Sequence, residues 1–239
     1  MGRSRLLSSV NFVLMFAMKR TILALLTACG FCLHAQAQSK PANTFSNSTY
    51  IKVNPTTLIN ELDIYVEQEL TEKLSLEIGI IGIYTDYPDY YLAKKIDFGQ
   101  KKPNISTEQF VEGRGLGFRA GLRWYLFSIY EGALRAGGTY FEPILFYKKV
   151  FYPNEDMEIN GDKYTRSASK NVYGLQMLLG RQFTKGKIIF DPYIGLGIRS
   201  KIYHYNNFFD TNGQVQTDNS RLVSVLPSIH MGVKLGLKM

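Results

Sequence analysis

The sequence predicts an all-β protein, an eight-stranded antiparallel up-and-down transmembrane β-barrel, on the basis of three observations. Apolar residues alternate with polar and small residues along eight segments, which is the pattern of a strand with two unlike faces. The connections between these segments alternate between short and long, as they do in membrane barrels. The chain also begins with a segment that has the layout of a secretion signal.

The clearest alternation lies in Lys187–Tyr205. Every second residue of Ile188–Ile198 is apolar, whereas the intervening positions mix glycine, tyrosine and charged side chains. An apolar face of about ten residues is what a tilted strand needs to cross a bilayer. Gly113–Leu126 alternates equally well, and Trp124 and Tyr125 near its end are expected to belong to an interfacial aromatic girdle.

The other predicted strands follow the same rule with weaker alternation. The eight segments are Ser48–Thr57, Leu58–Leu70, Leu74–Tyr84, Gly113–Leu126, Leu134–Phe151, Asn171–Phe183, Lys187–Tyr205 and Arg221–Met239. Two dipeptides within the predicted loops, Asn160-Gly161 and Asn212-Gly213, are typical of tight hairpin turns.

The connections fall into two sets by length. One set is short and comprises residues 71–73, 127–133 and 184–187. The other set comprises residues 57–59, 85–112, 152–170 and 206–220, and three of its four members are long. Short turns are typical of the periplasmic side and long loops of the outer side, and an even number of strands brings both termini to one side. Both termini are therefore expected in the periplasm.

The N-terminal region predicts export. Residues 1–37 are interpreted as an upstream extension followed by a cleaved signal peptide, in which Lys19 and Arg20 precede an apolar run. Ala35-Gln36-Ala37 fits the small-x-small pattern of a cleavage site. A transmembrane helix over residues 11–33 is disfavoured because it would put the two charges in the middle of the bilayer.

Export has consequences for the mature chain. A lipoprotein signal ending at Cys29 stays open as an alternative. Cleavage after position 37 would remove both cysteines, Cys29 and Cys32, so the mature chain would contain no disulfide. Residues 38–47 are then a periplasmic lead-in and residues 48–239 the outer-membrane β-barrel. The small positive charge that remains is spread along the chain, which argues against nucleic-acid binding.

The predicted inward faces carry many charges. Because unpaired charges are costly in a low-dielectric interior, these side chains are expected to pair, and Arg119 and Arg123 should each have a carboxylate within reach. A polar pore or proton path is the alternative. The predicted lumen charge network consists of Lys52, Glu61, Asp63, Glu67, Glu77, Arg119, Arg123, Glu142, Asp191, Arg199 and Lys234, with Lys201 on the same face.

Catalytic, cofactor and metal motifs are not predicted. The run His204-Tyr205-Asn206-Asn207 is similar to the His-x-Ser-Asn run of outer-membrane lipid A deacylases, but Asn206 stands where the serine nucleophile is needed. The segment that starts at Asp156 superficially resembles a calcium loop, yet its twelfth position is Ser167 and not glutamate. No cofactor is therefore expected.

Three segments resemble a known group of proteins. Tyr173–Gln182 and Asp191–Arg199 resemble the paired strands of small outer-membrane β-barrel families of Bacteroidota-type Gram-negative bacteria, and Ile51–Pro55 before an acidic strand is similar too. The resemblance implies the fold and an outer-membrane location. Those families mostly have no assigned function. The chain departs from outer-membrane strands, which usually finish on an aromatic residue, because it ends with Gly236–Met239.

These predictions combine into a small closed outer-membrane barrel without catalysis, a structural or surface-binding protein that acts through its outer loops. A narrow channel and a lipid-modifying barrel enzyme stay open as alternatives. The expected partners are outer-membrane lipid and lipopolysaccharide, periplasmic chaperones and the barrel assembly machinery, and an extracellular ligand that no residue identifies.

Overall fold

The computed structural model describes residues 48–87, 103, 105–131, 134–211 and 214–239. The predicted signal peptide and lead-in, most of the predicted loop 85–112, and Asn212-Gly213 lie outside the described residues. The strands are β1 (Thr49–Val53), β2 (Glu61–Glu69), β3 (Leu74–Ile83), β4 (Arg114–Glu131), β5 (Leu134–Phe151), β6 (Glu155–Ile159), β7 (Asp162–Arg166), β8 (Ala168–Lys185), β9 (Ile188–Thr211) and β10 (Gln214–Lys238). A short helix, α1 (Thr107–Glu112), precedes β4, and a 3-10 turn spans Pro55–Thr57.

Eight of these strands pair antiparallel and close into a ring. Their order around the ring is β1, β2, β3, β4, β5, β8, β9 and β10, and β1 pairs with β10. The remaining two strands, β6 and β7, form a separate hairpin between β5 and β8. The prediction of an all-β chain with eight antiparallel strands is confirmed. No helix in the described ranges is long and apolar enough to cross a membrane.

The register of the ring is staggered. Starting at Phe118 on β4, the paired residues can be followed from strand to strand around the ring. In one direction, through β3, β2 and β1, they end at Leu235 on β10. In the other direction, through β5, β8 and β9, the paired residues end at Val225 on β10, ten residues from Leu235. A closed sheet with such a stagger must tilt its strands from the ring axis, and a ring of eight strands has an interior that side chains just fill.

Two predicted connections are part of strands. β9 and β10 pair from Ile188 to Thr211, so most of the predicted loop 206–220 is a continuous hairpin. β4 and β5 likewise extend through most of the predicted turn 127–133. Bulges follow Tyr125 and Ile129 in β4, and a bulge shifts the alternation by one residue. The alternation of period two is therefore lost at the bulges. It is also lost in β9 beyond Tyr205 and in the part of β10 that pairs with it, because neither face of these strands is apolar there.

The first predicted strand is shorter than expected. β1 ends at Val53 because Pro55, which has no N–H to donate, begins the 3-10 turn. The side chain of Asn54 caps this turn by accepting a hydrogen bond from the Thr56 N–H at 3.1 Å. Since β2 starts only at Glu61, residues 54–60 form the connection between the two strands.

Helix α1 lies within the predicted loop 85–112. A capping box starts the helix, with the Gln109 N–H donating to Ser106 Oγ at 3.1 Å and the Ser106 N–H donating to Gln109 Oε1 at 3.3 Å. Phe110 is fully buried, and its ring lies 5.2 Å from the ring of Tyr152 and 6.5 Å from that of Tyr203. The helix therefore places an aromatic side chain over the interior at the loop end of the ring.

The hairpin of β6 and β7 has the predicted turn. Asn160 and Gly161 both have positive φ, 56° and 88°, as a two-residue type I′ turn requires, so the Asn160-Gly161 prediction is confirmed. The Asn160 side chain donates a hydrogen bond to Asp210 Oδ2 on β9 at 2.7 Å. This contact rests the hairpin against the long β9–β10 extension.

Replacing Gly161 by valine should unfold this hairpin and leave the ring intact. A β-branched residue is strained at φ 88°, whereas Asp162→Val puts the same side chain one position later, on a β-strand. Limited trypsin digestion should cut Gly161→Val quickly at Lys163 and Arg166, and the Asp162→Val control slowly. Rapid digestion of the ring strands in Gly161→Val would show instead that the turn supports the ring.

Candidate functional site: the charged interior

A layer of charged and polar side chains crosses the interior of the ring, and each of the eight strands contributes one of them. All of these side chains are fully or almost fully buried. The central charge layer consists of Lys52 from β1, Glu67 from β2, Glu77 from β3, Arg123 from β4, Glu142 from β5, Gln182 from β8, Asp191 from β9 and Lys234 from β10.

Arg123 is the centre of this layer. Its Nη1 donates to Glu67 Oε2 at 3.0 Å and to Asp191 Oδ2 at 2.8 Å. Its Nη2 donates to Glu77 Oε2 at 2.7 Å and to Glu142 Oε2 at 3.1 Å. The planar guanidinium group can serve several carboxylates at once because its donors point outward in one plane. One arginine therefore connects four carboxylates from four strands.

Two lysines also contact these carboxylates, so that three cations face four carboxylates in the layer. Lys52 Nζ lies 2.5 Å from Glu67 Oε2 and 2.8 Å from Asp191 Oδ2. Lys234 Nζ forms an ion pair with Glu77, and it lies 3.9 Å from Glu142 Oε2. Each of the four carboxylates thus contacts Arg123 and one lysine, an arrangement that compensates the desolvation of buried charges.

Tyrosine hydroxyl groups supply further donors to the layer. Tyr140 donates to Asp191 Oδ1 at 2.6 Å, and the Tyr140 ring lies 3.8 Å from the Arg123 guanidinium carbon. Tyr125 donates to Glu67 Oε1 at 2.9 Å. Tyr125 is only 1% exposed, so its predicted place in an outer aromatic girdle is wrong. Its neighbour Trp124 is exposed on the outer face, because successive residues of a strand point to opposite sides.

Three carboxylates of the layer lie close enough to hold a metal ion. Oxygen atoms of Glu67, Glu77 and Asp191 all lie within 4.8 Å of one another. The same carboxylates already accept hydrogen bonds from Arg123, and Glu67 and Asp191 also accept from Lys52. Protein cations therefore occupy the positions that a metal ion would take, and the chemistry of the cluster is that of a salt-bridge network.

A cavity of about 640 Å³ lies on the loop side of the charge layer. Its lining includes four arginine and lysine side chains and two carboxylates, namely Arg119, Lys148, Lys170, Arg199, Glu61 and Asp86. Lys148 Nζ donates to Glu61 Oε1 at 2.7 Å, and Lys170 pairs with Asp86. Both carboxylates of the described lining are thus paired with a lysine.

Arg119 has a different environment from the one predicted. Its Nη1 donates to the Tyr65 hydroxyl group at 3.1 Å, and that hydroxyl group donates to Asp63 Oδ2 at 2.8 Å. The rings of Tyr65 and Phe146 lie 5.6 and 5.9 Å from its guanidinium carbon. No carboxylate of the described residues forms a salt bridge with Arg119, because the longer tyrosine side chain reaches it first. The prediction of a direct carboxylate partner is therefore wrong for Arg119.

The structure divides the predicted network into two groups. Seven members meet in the central charge layer: Lys52, Glu67, Glu77, Arg123, Glu142, Asp191 and Lys234. Glu61, Arg119 and Arg199 line the cavity, Asp63 bonds to Tyr65, and Lys201 is buried on β9.

Several residues of the site were not predicted from the sequence. Asp86 and Lys170 fell within predicted loops. Lys148 stands beside Lys149, so charge alone could not indicate which of the two points inward. Gln182 carries no charge and so was not included in a network defined by charge. The signal that could have found Lys148 is its even spacing from Glu142, which was predicted to point inward on the same strand.

Replacing Lys52 by methionine should destabilise the ring by about 3–5 kcal/mol, because Glu67 and Asp191 each lose one of their two buried cations and keep only Arg123. The double variant Lys52→Met/Asp191→Asn should recover part of this loss, since it removes one of those carboxylates. Leu126→Ile, on the exposed face of β4, is the control and should change little. Guanidinium unfolding of the detergent-solubilised protein measures all three, and equal stability of Lys52→Met and wild type would contradict the role given to the layer.

Comparison of the chain with protein-family models, with curated proteins and with solved structures found no match. Two features of the interior bear on function. One is the fully buried charge layer, and the other is the cavity on its loop side, which Arg119 lines.

Proposed function

We propose that the chain is a transmembrane β-barrel of a bacterial outer membrane that does not conduct ions and that holds a ligand in the cavity on the loop side of its charge layer. The first support is a belt of exposed apolar side chains around the ring. Water-soluble monomers rarely expose a continuous apolar surface of this extent. The belt includes Ile64 on β2, Ile80 on β3, Leu116 on β4, Leu145 on β5, Leu175 on β8, Leu196 on β9 and Ile229 on β10.

The height of the apolar belt agrees with the height of the apolar band in outer-membrane barrels. On β8, the exposed aromatic residues Tyr173 and Phe183 lie ten residues apart and enclose Leu175, Met177 and Leu179, which are also exposed. Arg181 is exposed on the same face at the edge of this stretch, and its guanidinium carbon lies 5.2 Å from the Phe183 ring. At about 3.3 Å per residue and a tilt of about 45°, this distance corresponds to about 23 Å along the membrane normal. Outer-membrane barrels have an apolar band of about 25 Å between aromatic girdles.

The absence of conduction rests on the central charge layer, the single observation that carries the proposed function. Side chains from all eight strands meet there, and Lys52, Arg123 and Lys234 have no exposed surface. A water-filled channel would hydrate these groups. The layer therefore favours a barrel that is closed at this level over the narrow channel.

The loop side is the better candidate for binding. The cavity occupies the interior there, whereas the turn side beyond the layer is filled by Tyr50, Tyr125 and Tyr140, all buried. No catalysis is assigned, since His204 is exposed on β9 and Asn206 in the same run contacts Ser167 and no activated nucleophile. The enzyme alternative is accordingly the weaker one.

Single cysteines should report the orientation of the barrel. Lys163 lies exposed on β7 at the loop side and Glu72 lies exposed in the turn between β2 and β3. On intact cells, a membrane-impermeant maleimide should label Lys163→Cys and leave Glu72→Cys unmodified until the outer membrane is permeabilised. Labelling of Glu72→Cys alone would invert the topology, and equal labelling of both on intact cells would contradict membrane insertion.

Purified protein in planar lipid bilayers should show no unitary conductance, because the charge layer closes the interior. Stepwise currents are the expected behaviour of a pore and would make the protein a channel. Insertion of the same sample into vesicles, followed by protection of the strands from protease, is the control that the protein reached the bilayer.

A further inference from the structure

The wall of the ring is interrupted on one side. β10 pairs with β9 from Gln214 to Leu237, but it pairs with β1 only between Leu235 and Lys238. Within the described residues, the stretch of β10 from Gln214 to Lys234 has no strand partner on its other edge. The side gap is defined here as the space between this edge and residues 54–60, which connect β1 to β2.

The 3-10 turn occupies the side gap without backbone pairing. Pro55–Thr57 lies against β10, yet the backbone hydrogen bonds of residues 54–60 stay within the turn or go to Asp63, Tyr84 and Thr85. Side chains hold the turn: Asn54 donates to the Tyr193 hydroxyl group at 2.8 Å. Among the described residues, no backbone hydrogen bond therefore joins the turn to β10.

Proline positions indicate that this edge is built to stay unpaired. Pro143 and Pro192 lie where one of their two ladders is interrupted, since the β4–β5 pairing omits Pro143 and the β8–β9 pairing omits Pro192. A proline has no N–H for a second ladder. Pro227 pairs with Ile198 on β9, so its partnerless side is the edge that faces the side gap.

The cavity passes through the side gap. Its lining includes Ser228 and His230, which point inward, and Ile229 and Met231, which point outward and are 66% and 69% exposed. Successive residues of a strand face opposite sides of the sheet. A single cavity that touches both sets must extend around the edge of β10, from the interior to the outer apolar belt.

The other two sides of the cavity are covered. Toward the turns lies the central charge layer, which is fully buried. Toward the loops, Phe110 packs against Tyr152 and Tyr203, and Asp86 accepts from the Tyr152 hydroxyl group and pairs with Lys170. Among the described residues, the side gap is therefore the route by which a ligand can enter the cavity. This route opens at the level of the apolar belt.

The interior end of the cavity offers polar groups to a ligand. Arg119 is 6% exposed, and its Nε has no hydrogen-bond partner among the described residues; Ser228 Oγ is likewise buried without one. A buried donor without a partner is costly, so an acceptor placed there gains more than a surface contact. Arg119 is a cation that forms no salt bridge with a carboxylate of the described residues, so the acceptor that fits beside it is an anion.

We infer that the cavity binds a single-chain anionic amphiphile, a carboxylate or phosphate head group on one long alkyl chain. The head group lies beside Arg119 and Ser228, and the alkyl chain leaves through the side gap past Ile229 and Met231 into the membrane. The cavity volume of about 640 Å³ lies in the range of about 300–1,000 Å³ that is usual for small-ligand sites. This inference rests on the proposed membrane location, because the ligand enters from the bilayer.

Binding of radiolabelled palmitate to the purified full chain in phosphatidylcholine nanodiscs tests the inference. Wild-type barrels should bind it with saturation above empty nanodiscs, whereas hexadecanol, which has the same chain without the charge, should bind at least tenfold more weakly. Acetate, the head group without the chain, should not compete. Hexadecyl phosphate as competitor distinguishes the two head groups: stronger competition than palmitate assigns phosphate, and weaker competition assigns carboxylate. Equal binding of palmitate and hexadecanol would overturn the inference.

Two variants place the site. Arg119→Gln should weaken palmitate binding by about tenfold or more, the effect of losing one charge-assisted hydrogen bond of about 1.4 kcal/mol or more. Ile229→Trp should obstruct the side gap and slow palmitate uptake. Its matched control is Leu196→Trp, because Leu196 is the partner of Ile229 on β9 and is equally exposed, at 65%. Equal uptake by the two tryptophan variants would overturn the side gap as the route.

The same samples separate failure of the inference from failure of the proposed function. Protein that enters nanodiscs and resists protease, yet binds no palmitate above the empty discs, overturns the ligand and leaves the membrane barrel in place. Protein that stays outside the discs overturns the proposed function itself.

Discussion

The contact of one guanidinium group with four carboxylates is the interaction on which the rest of the interior depends. Arg123 compensates Glu67, Glu77, Glu142 and Asp191 at once, and without it these acids could not share a space from which water is excluded. Lysine could not replace it, because an ammonium group lacks the planar set of donors that reaches four directions. The geometry of the ring thus follows an electrostatic requirement as much as a hydrophobic one: the apolar side chains of the strands face outward and the charges face one another.

The interior is divided by this layer into two unequal parts. On the turn side, tyrosines fill the space and bond to the acids. On the loop side, the strands surround a cavity that Arg119 lines, and the early end of β1 at Val53 leaves the wall incomplete. A proline two residues later is the local cause. One backbone restriction in the sequence therefore accounts both for the 3-10 turn and for the long unpaired edge of β10.

Alternation predicted the parts of the fold in which one face is apolar, and it failed where that condition ends. The inward direction of Lys52, Glu67 and Arg123 followed from parity along regular strands. The extension of β9 and β10 could not be predicted in this way, because the residues beyond Tyr205 are polar or aromatic on both faces. The capping box of Ser106 and Gln109 was a readable signal for helix α1 that the long polar loop concealed. The partner of Arg119 could not be predicted, because it is set by the length of the Tyr65 side chain. The alternation of residues along a strand shows which face a side chain lies on, but not which neighbour it reaches.

The short seam between β1 and β10 has a kinetic consequence. Four residue pairs join these strands, and they come from opposite ends of the described chain, so the loop that they close is the longest in the protein. Closing so long a loop carries a large entropic cost, and contacts between distant residues form slowly. Lys52 on β1 reaches Asp191 on β9, and Lys234 on β10 reaches Glu77 on β3, so both ion pairs join strands from the two ends of the chain. Closure of the seam is therefore also the step that completes the charge layer and excludes water from it.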